Sequence, residues 1–344
     1  MPYGVGIIGA GPGVSALHLP TLARFDAFQV VHIADGGSGR AATWAARVGA
    51  RSSSGTADLL ADPAVDVVVV ASPPDRHAGD VLAAVAAGKR AVLCEKPIAL
   101  TVADAEQVID ACRAAGTALV IGTNHLFDPA WTRAKHHLIA GGGSIQSISV
   151  TAALAPNGRY HEAVTEYEPA GAPMGRPAPD WSDAGVASAV VRQLVMGLLV
   201  HDLPIVRDLA PRLERVVFAR PVPPIGCTVG FIASGVLVQL TAVMLPAGAD
   251  SLWRMTIGTS VDRVEVDFPP PFVHAGSATV RVRGADGRET RYARSPIDGY
   301  LAEWQGLLAL LDGSEVAEYD ELLGDALFAI GLADAAGAAV IEAM

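Results

Sequence analysis

An almost uninterrupted apolar run at residues 65–71, which includes four consecutive valines, most limits how this chain can fold. A strand with apolar side chains on both faces must be covered on both sides, which is typical of parallel sheets flanked by helices. The sequence Ser72-Pro73-Pro74 ends the run, and a helix is predicted over residues 75–86. The run therefore favours an α/β sheet that is covered by helices on both faces.

Strands and helices alternate in the same way over the first 125 residues, which predicts a doubly wound parallel sheet. In an open sheet of this kind, ligands bind beyond the carboxyl ends of the strands. Residues that directly follow the predicted strands are therefore candidates for one binding site. Five such residues are expected on this edge: Gly9, Asp35, Ser72, Lys96 and Asn124.

The first predicted strand is followed by a glycine-rich turn and then by a helix. The glycines Gly9, Gly11 and Gly13 would let backbone amides approach a pyrophosphate at the start of that helix, although tight turns also use glycine for purely structural reasons. Asp35, after the second strand, could accept a hydrogen bond from an adenosine ribose. Its charge would repel a 2′-phosphate, so NAD is the predicted cofactor. Arg40 lies close enough in sequence to keep NADP as the alternative.

A short apolar strand carries Glu95 and Lys96 to the same edge of the predicted sheet. Pro97 fixes the backbone and excludes Lys96 from helical geometry. A cationic nicotinamide nearby would disfavour the charged form of the lysine, which suits proton transfer near neutral pH. The alternative is a surface lysine in a turn, but the other strand ends on this edge argue against it.

The pattern changes after the three glycines at residues 141–143. Eight runs rich in β-branched residues follow with short turns, which predicts an α+β domain with a large, mostly antiparallel sheet. With helices on only one face, the open face would be available for assembly into a homodimer or homotetramer. The predicted domains are residues 1–125, for dinucleotide binding, and residues 126–344, for substrate binding and oligomerisation, with the C-terminal helix packing back on the first domain.

Composition excludes several classes of partner. The net charge of -11, from 25 basic and 36 acidic residues, argues against nucleic acid or an anionic membrane. Cys94, Cys112 and Cys227 are widely spaced, and no Cys/His cluster has metal-ligand spacing, so no metal site is expected. No apolar run is expected to reach the roughly 18 residues that span a bilayer. We therefore expect a small-molecule ligand and a cytoplasmic location.

These motifs together resemble the Gfo/Idh/MocA oxidoreductases, the family of glucose-fructose oxidoreductase and inositol dehydrogenase. The resemblance covers essentially the whole chain and implies a Rossmann domain, a large mixed sheet, a nicotinamide cofactor, and contact of Lys96 with both cofactor and substrate oxygen. The motifs that carry it are the turn at 9–13 with His18-Leu19-Pro20, residues 71–74 with His77, Glu95-Lys96-Pro97, residues 122–124 before Phe127 and Pro129, and His201. The predicted cofactor-binding residues are Gly9, Gly11, Gly13, Asp35, Ser72, Pro74, His77, Glu95, Lys96 and Asn124.

Two departures from the family pattern affect the predicted site. In the glycine turn, the third position of the motif is Val14, or the loop has one extra residue. The second departure concerns His201. The resemblance implies that His201 is the second proton-handling group, and the alternative is a histidine of the hydrophobic core. The Asp that often stands four residues before it is Gly197 here. On a continuous helix Asp202 would point about 100° away from His201 and could not replace that Asp.

A segment rich in proline and glycine, residues 159–183, precedes His201 and is long enough to be a lid. Its acidic residues would suit a substrate with amino groups, such as an aminosugar or aminoglycoside, whereas the alternative is an ordinary solvated loop. The acids are Glu162, Glu166, Glu168, Asp180 and Asp183.

The predicted function is hydride transfer between a nicotinamide cofactor and a secondary alcohol or ketone of a sugar, cyclitol or aminoglycoside, with Lys96 and His201 as the catalytic residues. The alternative is a regulatory protein that kept the fold and the cofactor but lost turnover, which the Gly197 departure favours and the retained Glu95-Lys96-Pro97 sequence opposes.

Overall fold

A computed structural model describes residues 1–155, 179–244 and 250–344. The described strands form one six-stranded and one eight-stranded sheet. The chain divides into two compact units, and each sheet lies in a different unit.

The first unit comprises residues 1–122 and 300–327, and the second comprises residues 123–299 and 328–344. The predicted division at residue 125 lies close to the first of these boundaries. It differs in the C-terminal part of the chain, where residues 300–327 belong to the first unit.

The first unit contains a sheet in which all neighbouring strands are parallel. Its strands are β1 (Tyr3–Ile8), β2 (Phe28–Asp35), β3 (Arg51–Ser54), β4 (Val67–Val70), β5 (Ala91–Glu95) and β6 (Ala118–Gly122). Their order, β3-β2-β1-β4-β5-β6, is that of a doubly wound dinucleotide-binding fold. The four valines of β4 are fully buried, so the two-sided burial predicted from the apolar run is confirmed.

Helices connect these parallel strands, as right-handed crossovers require. The helix after the glycine turn contains a π-helical segment, Val14–His18, before α1 (Leu19–Leu22). Thr101 caps the helix after β5, because its hydroxyl accepts a hydrogen bond from the backbone of Asp104 at 3.2 Å. The other helices are α2 (Arg40–Val48), α3 (Ala57–Ala61), α4 (His77–Ala86) and α5 (Val102–Ala115).

The second unit is α+β, as predicted. Its helices and strands are α6 (Asn124–Phe127), α7 (Pro129–Gly141), β7 (Ile145–Leu154), α8 (Ala184–Gly197), α9 (Leu203–Leu209), β8 (Leu213–Pro221), β9 (Gly226–Ala233), β10 (Val236–Met244), β11 (Leu252–Thr259), β12 (Asp262–Asp267), β13 (Thr279–Gly284) and β14 (Glu289–Tyr292). The sheet order is β14-β13-β12-β11-β7-β10-β9-β8. Only the pair β7 and β10 is parallel among these neighbours, so the prediction of a mostly antiparallel sheet is confirmed.

One face of this sheet forms a core with helices, and the other face is open among the described residues. Along β10, Val238 and Leu240 are fully buried whereas the intervening Gln239 is exposed. Leu237 is 49% exposed on the open face. Period-two alternation of this kind is what a half-buried strand produces.

The two C-terminal helices are α10 (Gly299–Asp312) and α11 (Tyr319–Ala343). In the first unit, the hydroxyl of Tyr319 donates to the carbonyl of Thr117 at 2.8 Å. Beyond residue 327, α11 belongs to the second unit, where Phe328, Leu332 and Ala336 enter the hydrophobic core.

Two segments, Ala184–His201 and Tyr319–Ala343, are long and apolar enough to cross a membrane by length and composition alone. The expectation that no run reaches this length is therefore wrong. Within each apolar window, 39% and 44% of the residues are buried in the structure. Core helices of water-soluble proteins meet the same criterion, so the finding is weak support for a membrane span.

Candidate active site

The carboxyl ends of the parallel strands in the first unit bring four predicted residues to one edge of the sheet. Ile8 of β1 is paired with both Ala34 and Val70, which places Gly9, Asp35 and Ser72 at the carboxyl ends of neighbouring strands, with Asp35 as the last residue of β2. The next strand, β5, carries Lys96 immediately after its last residue. The fifth predicted residue, Asn124, is the first residue of α6 and belongs to the second unit.

The glycines of the turn differ in what they provide. Gly9 has φ +112°, and a Cβ atom there would lie 2.3 Å from the carbonyl oxygen of Ala71, so the fold itself requires glycine. Apart from their own chain neighbours and nearby helix backbone, Gly11 and Gly13 have no described atom within 4 Å of the position of a Cβ. Packing does not require these two glycines, so the open space beside them fits a ligand that approaches the backbone closely.

The π-helical segment bears on the departure seen in the glycine motif. A π-helical turn accommodates one more residue than an α-helical turn, and such turns are frequent at functional sites. The segment Val14–His18 begins directly after Gly13. It favours the interpretation that the chain has one extra residue here, which the helix absorbs.

A cavity of about 390 Å³ lies beside the glycine turn and continues to the end of β2. The volume and the glycines in its lining fit part of a dinucleotide; a whole dinucleotide would extend beyond the cavity. Two arginines line the cavity and could neutralise phosphate charge. The polar or charged residues and turn glycines that line it include Gly9, Gly11, Asp35, Ser38, Arg40, Thr56, Ser72 and Arg76.

The carboxylate of Asp35 already accepts three hydrogen bonds from its own turn. The donors are the backbone amide of Gly37 at 2.7 Å, the hydroxyl of Ser38 at 2.5 Å and the backbone amide of Ala41 at 3.0 Å. Burial alone would raise the pKa of Asp35, but these hydrogen bonds outweigh it and lower the pKa. Asp35 is therefore an anion held in a fixed orientation.

At the end of β5, Glu95 is held by a histidine from the π-helical segment. The Nε2 atom of His18 lies 3.0 Å from Oε1 of Glu95. Burial alone would raise the pKa of Glu95, but the bond to His18 and the nearby charges, including that of Lys96, lower it. Glu95 is therefore negatively charged beside Lys96.

Burial lowers the pKa of the Lys96 ammonium, and the negative charge of Glu95 opposes this shift without cancelling it. A lysine with a lowered pKa releases its proton more readily at neutral pH than an exposed lysine. The bond from Lys96 to Pro97 is cis.

The loop residues Ser72 and His77 have structural partners. The hydroxyl of Ser72 donates to Asp80 at 2.6 Å. His77 is almost completely buried, and its ring nitrogens lie 2.7 Å from the carbonyl oxygens of Pro97 and of Ser72. His77 thus joins the loops that follow β4 and β5, which holds the backbone next to Lys96, while Pro74 starts the short 3-10 turn before it.

The second unit contains His201, but not on the helix that the sequence predicts. Helix α8 ends at Gly197, and His201 lies in a 3-10 turn, Leu199–His201, after the chain changes direction at Leu198. Residues 197–202 therefore do not form the continuous helix that the comparison of Asp202 with Gly197 assumed, and that assumption is wrong. Apart from its chain neighbours and its own helix backbone, no described atom lies within 4 Å of the position of a Cβ on Gly197.

The side chains around His201 come from three distant parts of the second unit. Its ring centroid lies 5.4 Å from the ring of His125 and 5.5 Å from the ring of Trp253. Both of these rings are bonded to Asp202, which is fully buried. Sequence reasoning missed these residues, as it missed the role of His18, because only the fold brings them together.

The acidic segment before α8 lies mostly outside the described residues, including Glu162, Glu166 and Glu168. Of its described acids, Asp180 accepts from Ser182, and Asp183 caps α8 by accepting from two backbone amides. These two acids have structural partners. In the described parts of the chain, no group of three His, Cys, Asp or Glu residues is arranged to hold a metal ion.

Comparison with known proteins finds similarity over the first part of the chain. Residues 3–123 match the Gfo/Idh/MocA model, described as "Oxidoreductase family, NAD-binding Rossmann fold". An inositol 2-dehydrogenase of Saccharopolyspora erythraea is 38% identical over 144 residues, which are 41% of this chain and 42% of that protein. A 1,5-anhydro-D-fructose reductase of Ensifer adhaerens is 40% identical over 116 residues, 33% of this chain and 34% of that protein. The sequence matches thus span less than half of these relatives.

Solved structures show the same fold over the whole length. A 3-ketoreductase from Actinomadura kijaniata, in complex with TDP-benzene and NADP, has a TM-score of 0.74 at 23% identity and covers 97% of this chain and 96% of that one. A UDP-N-acetylglucosamine 3-dehydrogenase from Acidithiobacillus ferrooxidans has a TM-score of 0.74 at 20% identity, with 99% of both chains covered.

Proposed function

We propose that this chain is an NAD(P)-dependent oxidoreductase of the Gfo/Idh/MocA family, because residues 3–123 match the family model and an inositol 2-dehydrogenase is 38% identical over 144 residues. Its reaction is hydride transfer to or from a secondary alcohol or ketone carbon of a sugar, cyclitol or glycoside. The names of the inositol 2-dehydrogenase relative, of the 3-ketoreductase and of the UDP-N-acetylglucosamine 3-dehydrogenase support this substrate class.

The observation that carries the proposal is the state of Lys96. It follows the last residue of β5 at the edge where open α/β sheets bind ligands, and burial lowers its pKa. A surface lysine in a turn would keep the ordinary pKa of about 10.4. Proton transfer is efficient when the pKa of the catalytic group lies near the working pH, so the shift suits a catalytic role.

The chain's own residues divide the work of the reaction. In oxidation, neutral Lys96 takes the hydroxyl proton of the substrate at Nζ, and in reduction its ammonium returns a proton to the carbonyl oxygen. The negative charge of Glu95, which His18 holds in place, limits how far burial lowers the pKa of Lys96. His201 is the second proton-handling group. A bound nicotinamide accepts or supplies the hydride.

The cofactor is NAD or NADP, and we propose that NAD is preferred. The support is Asp35, whose hydrogen bonds keep it negatively charged at the cavity where an adenosine ribose would lie. A 2′-phosphate would be repelled there, whereas Arg40 and Arg76 line the same cavity and reduce the repulsion.

The three cysteines are buried and free, which suits a cytoplasmic location.

The test follows the absorbance of reduced nicotinamide with NAD⁺ and NADP⁺ against myo-inositol, D-glucose, UDP-N-acetylglucosamine and kanamycin. Lys96→Met keeps the aliphatic chain but removes the proton carrier, and kcat should fall by a factor of about 100 or more. Lys135→Met is the matched control, because that lysine pairs with Asp208 in the second unit. Wild-type activity in Lys96→Met would refute the proposed role.

The same panel separates the enzyme from a regulatory protein. A regulator would bind NAD⁺ in a calorimetric titration but turn over none of the compounds. The aminated compound, kanamycin, also tests whether the acids of residues 159–183 favour amines, since neutralising Glu162, Glu166 and Glu168 should then raise its KM selectively.

A further inference from the structure

A single buried carboxylate in the second unit holds two aromatic side chains. Asp202 is fully buried, and its Oδ2 accepts from the indole Nε1–H of Trp253 at 2.8 Å. Its Oδ1 lies 2.9 Å from Nδ1 of His125. We assign Nδ1 of His125 as the donor in this second bond and the carboxylate as the acceptor. Asp202 is the next residue after His201 in the sequence.

The two rings bonded to Asp202 are the same two rings that contact His201. The His125 ring lies 5.4 Å from the His201 ring, and Trp253 meets His201 edge-on at 5.5 Å with an interplanar angle of 87°. Trp253 also meets His125 edge-on at 4.6 Å. His201 is therefore bounded on two sides by rings that one carboxylate holds in place.

The orientation of His125 is further restricted by stacking. Its ring is nearly parallel to Phe268, with an interplanar angle of 8° and centroids 3.7 Å apart. Stacking fixes the plane of the imidazole, and the bond to Asp202 fixes the rotation within that plane. If these residues only filled space in the core, an apolar side chain such as leucine would do so without the cost of burying polar groups.

We propose that Asp202 is a positioning residue for His201, acting through His125 and Trp253. It takes the orienting role that the family pattern gives to the residue four before the histidine, where this chain has Gly197. The inference rests on the proposed function, in which His201 handles a proton. Asp202 does not itself exchange a proton with the substrate in this arrangement, because both of its oxygens are engaged.

The first experiment measures the ring of His201 without any substrate. Protein labelled with ¹⁵N only in its nine histidines gives ring signals, and the His201 signal is identified by its loss in His201→Asn. In Asp202→Asn one oxygen is replaced by an NH₂ group, which is itself a donor and must face the N–H of either His125 or Trp253. One of these two rings is then no longer held, so the His201 ring beside it should become more mobile and its signal should broaden or split. An unchanged His201 signal in a folded Asp202→Asn protein would overturn the inference.

A rescue variant separates positioning from a general loss of stability. Trp253→Phe keeps a ring beside His201 but removes the indole donor. In the double variant Asp202→Asn/Trp253→Phe, the amide NH₂ no longer opposes an N–H, and its oxygen can still accept from His125. The double variant should therefore restore a single narrow His201 signal relative to Asp202→Asn, and a further loss in the double variant would contradict the proposal.

Kinetics provide the second readout, on whichever compound of the panel is turned over. Asp202→Asn should lower kcat by about tenfold or more while KM changes less than twofold, because orientation of a proton carrier matters mainly in the transition state. Asp262→Asn is the matched control, since it breaks another Asp–His contact of 2.8 Å, to His137, away from these rings. If the control lowers kcat equally, the effect is not positioning.

The outcomes also separate this inference from the proposed function. If His201→Asn retains full activity, His201 carries no proton and the proposed function loses that residue, while the spectra still decide whether Asp202 orients the ring. If His201→Asn is inactive and Asp202→Asn has wild-type kcat and spectra, only the positioning role is refuted. Should Asp202→Asn fail to fold, His125→Phe, which keeps a ring stacked on Phe268 but removes the bond to Asp202, must disturb the His201 signal.

Discussion

Replacing single glycines of the turn should separate the requirement of the fold from that of the cofactor. In Gly9→Ala, the new methyl group would lie 2.3 Å from the oxygen and 2.6 Å from the carbon of the Ala71 carbonyl, at φ +112°. The ends of β1 and β4, which Gly9 and Ala71 follow, must then move apart. Backbone strain of about 1–3 kcal/mol and overpacking of about 1–3 kcal/mol together predict a loss of about 4 kcal/mol in the free energy of unfolding of the first unit.

Gly11→Ala should have the opposite profile. No described atom lies within 4 Å of the new Cβ, and the residue lines the cavity. The free energy of unfolding should change by less than about 0.5 kcal/mol. The Kd for NAD⁺ should rise by about tenfold or more, which corresponds to about 1.4 kcal/mol, because the methyl group enters the space that the ligand needs.

Urea unfolding and calorimetric titration with NAD⁺ measure these two effects on the same samples. Gly79→Ala is the control, because this exposed glycine of α4 also has no described atom within 4 Å of a Cβ and lies outside the cavity. It should bind NAD⁺ as the wild type does. A Gly9→Ala protein of wild-type stability would refute the clash, and a Gly11→Ala protein with wild-type affinity would refute the assignment of the cavity.

Three further predictions concern charge and assembly. Glu95→Gln removes the negative charge that raises the pKa of Lys96 against burial, so the rise of kcat/KM for oxidation should shift to lower pH; an unchanged pH profile would contradict this. Asp35→Asn should increase kcat/KM with NADP⁺ relative to NAD⁺, measured in parallel steady-state assays, and an unchanged ratio would remove Asp35 from cofactor selection. We further predict that the protein forms a homodimer or homotetramer through the open sheet face, where Leu237 is exposed. Leu237→Glu should therefore lower the particle mass measured by light scattering, and a wild-type protein with the mass of a monomer would disprove the prediction.

Local pattern was sufficient for the edge of the parallel sheet. The four valines of β4 had to be buried on both faces, and the residue after each parallel strand had to lie on the same edge. Lys96 could therefore be placed from the apolar strand before it and the proline after it. The short polar strand β3 was missed, because Arg51-Ser52-Ser53-Ser54 lacks an apolar pattern and pairs only at the edge of the sheet.

Other features depend on contacts between residues that are far apart in sequence. The apolar pattern of α8 continues to His201, but the helix ends at Gly197, so a helical wheel misplaced His201 relative to its neighbours. Asp202 meets His125, 77 residues earlier, and Trp253, 51 residues later. Periodicity reports how one segment is buried and carries no information about which distant side chain satisfies a buried charge.

By itself, the sequence determined the alternation of strands and helices, the edge on which Lys96 lies and the family resemblance of residues 3–123, since apolar periodicity and short motifs are local properties. Only the tertiary structure decided that His18 holds Glu95, that Gly9 and Gly11 serve different purposes, and that Asp202 is bonded to both rings beside His201. A buried polar group must find its partner wherever the fold brings one, and that choice is made in three dimensions.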